Sequence, residues 1–375
     1  MVARHRSMNV HILDAMARGG FEQVLAIHDR RSGLRGFLGI HDTSRGPAFG
    51  GVRRWAYSDE GQALRDCLRL SRAMTRKCAL ADLPAGGGKL VLIDDPQVDW
   101  KRAYPHVGRV VEGLHGGFYT GPDVGTSASD LEAIRSRTRY VTDPGPSGPG
   151  KLADATCEGV FRGIGAALRH LDGEEDWPRR RIVVQGLGEV GRGLAARLVE
   201  RGAHVIAAEI DRERARSIAR ALSIELVDPA SEFEEACDVF APCALGGILH
   251  DLTITRLKAR IVAGGANNVI VRSDHGDRLH QSGVLYVPDF VINPGALIRG
   301  ALFHLEGRRV PVEEIGLRVS RTLTRILERA QAEDAPPVRV AIQEADRRIA
   351  AARARELASG TTPVRQSASS DTDLG

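Results

Sequence analysis

IVVQGLGEVGRGLAARLVERGAHVIAAE, residues 182–209, decides the fold. Ile182-Val183-Val184 is a short apolar run of the kind that forms a buried strand, and Gly186-Leu187-Gly188-Glu189-Val190-Gly191 matches G-x-G-x-x-G in full. A helical stretch follows from Val190 to Arg201, then a second strand, His204 to Ala208, with Glu209 at its end. With 42 glycines in 375 residues a lone match would carry little weight, so the strand–turn–helix setting is what makes it specific. Gly186 allows the tight turn, Gly188 lets a pyrophosphate approach the backbone, and Gly191 permits close helix–strand packing. Glu189 and Val190 open the helix, whose unpaired N–H groups and dipole favour phosphate. A carboxylate at Glu209 accepts hydrogen bonds from ribose hydroxyls and repels a 2′-phosphate, so the pattern predicts NAD; Arg212 and Arg214 close behind keep NADP tolerance open.

Downstream, a helix is expected from Arg212 to Leu222 and strands at Asp238–Phe240, Arg260–Ala263 and Val284–Val287. Strands alternating with helices imply a parallel sheet with right-handed crossovers. Upstream the rhythm differs. Gln23–His28 and Gly36–His41 read as strands around a turn at Arg30–Gly33, followed by a helical stretch Ser58–Met74, a strand Leu90–Ile93 and a helix Trp100–Leu114. DPGPSGPG, residues 143–150, is almost all turn formers and reads as a hinge. The expectation is an α/β protein of two domains with a cleft between them: an N-terminal α/β domain over 1–150 and a Rossmann dinucleotide-binding domain over 151–330. A last helix, about 335–360, should pack back on the first domain, and the tail from Thr361 lacks a hydrophobic period and should be disordered.

Composition excludes some classes. The net charge of +4 comes from interspersed charges, and aromatics are only 5%, so no nucleic-acid footprint is expected. Arg179-Arg180-Arg181 reads as the solvated start of a strand. No segment is apolar enough to span a bilayer, and the N-terminus lacks a signal-peptide run. Cys67, Cys78, Cys157, Cys237 and Cys243 are odd in number, lack CxxC spacing and mostly sit among apolar residues. Buried free thiols, a cytoplasmic location and no metal site follow as expectations.

The chemistry falls in the first half. Gly86-Gly87-Gly88-Lys89 leads into a strand, but Leu90 stands where a P-loop needs Ser or Thr. The glycines are expected to let a substrate approach the backbone beside the lysine. Lys77 ends the preceding helical stretch, and Asp123 follows Lys89 by 34 residues, in Gly121-Pro122-Asp123-Val124-Gly125-Thr126. Two lysines and an aspartate on loops suit carboxylate recognition and proton transfer, or are solvated surface charges; spacing alone leaves both open.

At these residues the chain resembles the glutamate/leucine/phenylalanine/valine dehydrogenases, most closely the leucine and phenylalanine branch. The resemblance runs from about Phe49 to Glu306. It is anchored on Gly50-Gly51-Val52-Arg53, Met74-Thr75-Arg76-Lys77, Gly86–Lys89, Asp123–Thr126, Ala241-Pro242-Cys243-Ala244-Leu245-Gly246, Ala266-Asn267-Asn268 and Pro288-Asp289-Phe290-Val291-Ile292-Asn293. It implies NAD-dependent oxidative deamination of an amino acid to its 2-oxo acid and ammonia. Lys77 would bind the substrate carboxylate with backbone near Gly51 and with Asn268, Lys89 would activate the water that attacks the imine, and Asp123 would shuttle the amino-group proton. The nicotinamide would lie near Thr156 and Asn267, with Cys243 and Ala244 also at the cofactor. The N-terminal domain would bind substrate and mediate association into a homo-oligomer, a dimer or higher.

The resemblance also locates the side-chain pocket, at Phe49, Met74, Gly121, Leu297 and Gly300. Glutamate-specific members use an additional lysine that Phe49–Arg53 does not supply, so an apolar substrate is expected. Gly121, Leu297 and Gly300 stand where the leucine-type pattern has alanine, valine and valine, which leaves room for a ring; a branched-chain substrate is the alternative. A non-catalytic NAD-binding regulator would require loss of Lys89 or Asp123, and both are present. Lys151–Ala155, Pro294, Ala296 and Arg299 depart from the family pattern.

Overall fold

The computed structural model describes residues 11–142 and 148–359. The chain falls into two units, residues 1–150 with 347–375, and residues 151–346. Most of the turn-rich stretch 143–150 and the tail from Thr361 lie outside the described residues.

The first unit is built on α1 (Ile12–Gly19), β1 (Gln23–Asp29), β2 (Leu34–Asp42), β3 (Ala48–Phe49), β4 (Val52–Trp55), α2 (Glu60–Leu80), β5 (Gly86–Ile93), α3 (Trp100–Glu112), β6 (Phe118–Tyr119) and α4 (Ala128–Arg135). The sheet order is β1-β2-β5-β3-β6, with β4 also paired to β5. β1, β2 and β5 are antiparallel neighbours, while β3 and β4 run parallel to β5. Because strand side chains alternate between faces, Phe37 and Val91 pack with Ala63, Leu64, Cys67 and Leu68 of α2, whereas Leu38, Leu90 and Leu92 pack with Ala103, Tyr104 and Val107 of α3. Asp59 caps α2 by accepting from the Gln62 N–H at 2.8 Å.

The second unit comprises α5 (Leu152–Asp172), β7 (Arg181–Gln185), α6 (Glu189–Glu200), β8 (His204–Ala208), α7 (Arg212–Leu222), β9 (Glu225–Leu226), β10 (Cys237–Pro242), α8 (Asp251–Arg256), β11 (Ala259–Val262), α9 (Asp274–Gln281), β12 (Leu285–Tyr286), α10 (Asp289–Ile292), α11 (Gly295–Glu306), α12 (Val312–Ala332) and the first half of α13 (Pro337–Ser359). Its sheet is parallel, in the order β12-β11-β10-β7-β8-β9. Strand order reverses between β7 and β10, and in such sheets ligands bind where the carboxyl ends of those two strands part. This is the dinucleotide-binding architecture expected from residues 182–209. Val338 of α13 belongs to this unit's core, while further along the same helix Arg348 donates to the Ala79 carbonyl at 3.1 Å in the first unit. At that carbonyl the Arg348 guanidinium joins the Asp82 N–H, which donates to it at 3.3 Å.

Three expectations need correction. α2 runs on to Leu80 and β5 begins at Gly86, so Lys77 lies on a helix and Lys89 in a strand; only Asp123 is on a loop. The glycines before Lys89 do not leave space for a substrate. A Cβ at Gly86 would run into the Asp42 carbonyl, at Gly87 into the Thr75 backbone, and at Gly88 would come within 2.9 Å of the Gly39 carbonyl. They are glycines because β2 and the backbone of α2 occupy that volume. Arg180 is not solvated: it is 9% exposed and paired with Asp172 at 2.7 Å.

Candidate active site

Lys89 is carried by the most enclosed strand of the first sheet, in register with Gly39 of β2. Its side chain is 7% exposed and its Nζ lies 2.5 Å from Oδ2 of Asp123, itself 15% exposed. The Asp123 loop is fixed by Thr126, whose hydroxyl donates to the Asp123 and Val52 carbonyls at 2.8 and 3.1 Å. Gly125, at φ +80°, lies hard against the Arg54 carbonyl, in a conformation that favours glycine. Burial pushes the Asp123 carboxyl up, but the Lys89 charge and then the Arg53 guanidinium outweigh it and hold the group down at about 2. Asp123 is therefore a carboxylate at neutral pH, in contact with an amine and largely screened from water.

Gly51 lies against this pair, since a Cβ there would come within 2.9 Å of the Asp123 Cβ and 2.6 Å of the Pro122 carbonyl. Its own N–H has no hydrogen-bond partner among the described residues, so it is left to a ligand or to water. Gly121 accepts from the Val52 N–H at 3.0 Å. Phe49 is aligned with Gly87 and stacks on Tyr119, with ring centroids 4.8 Å apart and an interplanar angle of 2°. Met74 and Lys77 are partly buried in the last two turns of α2, whose Thr75 packs on Gly87.

In the second unit the three glycines of the turn have three different reasons. Gly186 has φ +87° and lies against Ala244, where a Cβ would come within 2.6 Å of the Ala244 Cβ. Gly191 faces the Gly186 carbonyl with no room for a side chain, and a Cβ at Gly188 would meet nothing within 4 Å. α6 starts at Glu189 with no side-chain cap on its N–H groups. Open space at Gly188 in front of an uncapped helix N-terminus fits a pyrophosphate. Glu209 accepts from the Leu187 N–H at 2.8 Å, the Asp211 N–H at 3.0 Å and Arg214 at 3.2 Å. Burial raises its carboxyl, and these N–H groups outweigh that and hold it below its usual range. It thus fastens the glycine turn as well as placing a negative charge at the end of β8.

The other cofactor candidates meet at the same edge of the sheet. The Cys243 N–H donates to Gln185 at 2.7 Å, and Gly246 lies against the Asn267 carbonyl. The Asn267–Asn268 loop is held by two residues to which the sequence reading gives no role. Asp289 accepts from the Asn268 N–H, and the Asn293 amide donates to Gly265 and Ala266 carbonyls and to the Asn267 side chain at 3.0–3.1 Å. Asn268 has φ +53°, a value asparagine tolerates better than most residues. The Thr156 hydroxyl accepts from the Ala296 N–H at 3.1 Å, fastening α11, which carries Leu297 and Gly300, to α5. Two departures from the family pattern meet here, because Arg299 donates to the Lys151 carbonyl at 3.0 Å. Among the described residues no cluster of His, Cys, Asp or Glu could hold a metal ion, and no helix is long and apolar enough to cross a membrane.

Residues 22–140 match the family described as Glu/Leu/Phe/Val dehydrogenase, dimerisation domain, and residues 209–355 match Glutamate/Leucine/Phenylalanine/Valine dehydrogenase. A leucine dehydrogenase of Geobacillus stearothermophilus is 43% identical over 284 residues, 75% of this chain and 77% of that protein. A phenylalanine dehydrogenase of Thermoactinomyces intermedius is 39% identical over 295 residues, 77% and 81% of the two chains. Among solved structures, L-tryptophan dehydrogenase from Nostoc punctiforme superposes with a TM-score of 0.79 at 35% identity, over 91% of this chain and 99% of that one.

Proposed function

Because this chain belongs to the Glu/Leu/Phe/Val dehydrogenase family, and is an amino-acid dehydrogenase acting on a CH–NH2 group, we propose that it uses NAD to deaminate an apolar, ring-bearing L-amino acid, with Lys89 and Asp123 as its catalytic pair. The 2.5 Å contact between them, with the side chains only 7% and 15% exposed, carries the reading. Lys77 and the unpartnered Gly51 N–H take the substrate carboxylate. Asp123, a carboxylate, accepts a proton from the substrate ammonium and leaves the neutral amine needed before a hydride can depart from Cα. NAD, when bound, supplies the hydride acceptor. Lys89 then holds a water at the imine carbon; that water loses its two protons to solvent as its oxygen becomes the carbonyl of the 2-oxo acid, and Asp123 returns its one proton to nitrogen as the bond to ammonia breaks.

The open space at Gly188 supports a dinucleotide, and the carboxylate at Glu209 supports NAD in preference to its 2′-phosphorylated form. In the second unit Asn267 and Thr156 are assigned to the nicotinamide, Cys243 and Ala244 to the cofactor, Asn268 to the substrate carboxylate, and Leu297 and Gly300 to the substrate side chain; in the first, Met74, Phe49 and Gly121 are assigned to the side chain. Glycine at 121 and 300 supports a ring; the similarity to leucine dehydrogenase favours a branched chain as the second reading. Self-association through residues 22–140 accords with the description of the matched family, and the free thiols accord with a cytoplasmic enzyme.

Lys89→Ala and Asp123→Asn should each lower amino-acid-dependent NAD reduction by about 10²–10⁴-fold, followed by absorbance of NADH; wild-type turnover in either sinks the assignment. Initial rates across phenylalanine, tryptophan, leucine, valine and glutamate decide the substrate. A ring substrate should rank first, and glutamate in first place overturns the apolar pocket.

A further inference from the structure

The Gly50-Gly51-Val52-Arg53 segment brings to the site a charge that the mechanism above does not use. Arg53 sits on β4, aligned with Val91 two residues beyond Lys89. Its Nε donates to Asp123 Oδ2 at 3.2 Å, the same oxygen that Lys89 approaches most closely, and its Nη1 donates to Asp66 Oδ2 at 3.1 Å. Asp66, on α2, also accepts from the Tyr57 hydroxyl at 2.8 Å and from Arg69 at 2.7 Å. Arg53, Asp66 and Asp123 have side chains only 15–17% exposed. A chain of alternating charges thus runs Lys89–Asp123–Arg53–Asp66–Arg69, with the guanidinium bridging two carboxylates.

We propose that Arg53 is a positioning residue that keeps the Asp123 carboxylate ionised and aimed whatever Lys89 is doing. The inference rests on the catalytic roles proposed for Lys89 and Asp123. Lys89 must turn toward substrate and water during turnover, and its hold on Asp123 then weakens. Burial favours the protonated acid, which is useless as a proton acceptor. A guanidinium cannot lose its proton in a protein and presents several donors in a rigid plane, so it can fix one carboxylate while anchored to a second. The charged and titratable groups facing Asp123 are Lys89 from β5 and Arg53 from β4, with Asp66 and Arg69 of α2 and the Tyr57 phenol behind Arg53. Asp66 cancels the charge of Arg53 on the side away from the reaction, so the pair adds little net charge to the cleft.

The test reads the protonation of Asp123 directly, by infrared pH-difference spectra of the NAD-bound enzyme with the Asp123→Asn spectrum subtracted. In wild type Asp123 should stay ionised to the lowest pH at which the protein is folded. In Arg53→Gln its midpoint should rise by about 1–3 units, and kcat should fall about tenfold or more with a smaller change in KM. Arg53→Lys keeps a charge in place and protects the fold. It should restore the ionisation of Asp123 yet leave kcat about tenfold low, because one amine cannot span both carboxylates. An Asp123 midpoint unmoved in Arg53→Gln, or wild-type kcat in Arg53→Lys, overturns the positioning role even if thermal stability drops. Full turnover in Asp123→Asn overturns the catalytic reading and this inference together.

Discussion

At the scale of single residues, the most informative position is one that lacks a side chain. A Cβ built at Gly121 would sit 3.5 Å from the Thr142 Cβ, an ordinary contact, so nothing in the packing requires glycine there. Gly121→Ala should therefore fold normally and act through the substrate alone. We expect it to penalise ring substrates relative to valine by about 1–3 kcal/mol in kcat/KM. An equal loss for both classes, measured with the same panel, contradicts a ring pocket at this glycine. Single residues also mark the limit of what a sequence reveals. Lys89 and Asp123 are legible because glycines and a proline frame them in segments that resemble the family. Arg53 stands in one of those quoted segments, but nothing in spacing says that it bridges Asp66 and Asp123, 13 and 70 residues away. Asp289 and Asn293 likewise acquire meaning only when the loop they hold is seen.

At the scale of elements, periodicity is legible beside a turn motif and is missed where function or burial disturbs it or no motif marks the element. The strand–turn–helix–strand unit from Ile182 to Glu209 and the helix Arg212–Leu222 were legible from pattern alone. α5 was not, because Ala155 to Leu168 is buried almost continuously and shows no polar stripe. α12 went unplaced although Ile315, Val319, Leu323 and Ile326 recur at helical spacing. The glycine run ahead of Lys89 misleads in a different way, since glycine is normally poor in a strand. Here it is demanded by the close approach of α2 to β5. Gly87→Ala accordingly should cost stability, about 1–3 kcal/mol as expected for overpacking, seen as a lower midpoint in urea unfolding. A variant of unchanged stability with a raised KM restores the substrate-approach explanation for that glycine.

At the scale of the whole molecule, the parallel sheet and its reversal of strand order followed from the alternation of strands and helices. The last helix is expected from sequence to pack back on the first domain, but its division is not legible there: residues 337–346 belong to the second unit and the remainder to the first, where Ile349 and Ala352 are buried and polar contacts add to them. Arg353 pairs with Asp42 at 2.5 Å and donates to the Gly20 carbonyl at 3.1 Å, and only 2% of the Asp42 side chain is exposed. Arg353→Met removes the cation from that carboxylate, which still accepts from the Ser44 N–H at 3.1 Å and the Ser44 hydroxyl at 2.6 Å. The cost should be about 1–2 kcal/mol, below the 3–5 kcal/mol of a fully buried pair because Arg353 is 41% exposed. Thermal scans that leave the variant at the wild-type midpoint remove the case for this anchor.

The division of the chain has a temporal consequence. The second unit occupies residues 151–346, between the two segments of the first. During synthesis the ribosome therefore delivers all of the second unit before it delivers Arg348 and Arg353. The unit that is begun first is finished last, and until then the Asp42 carboxylate lacks the Arg353 cation and the Ala79 and Leu80 carbonyls lack the Arg348 guanidinium. Released chains truncated after residue 346 should hold a protease-resistant second unit beside a first unit that is still open to cleavage.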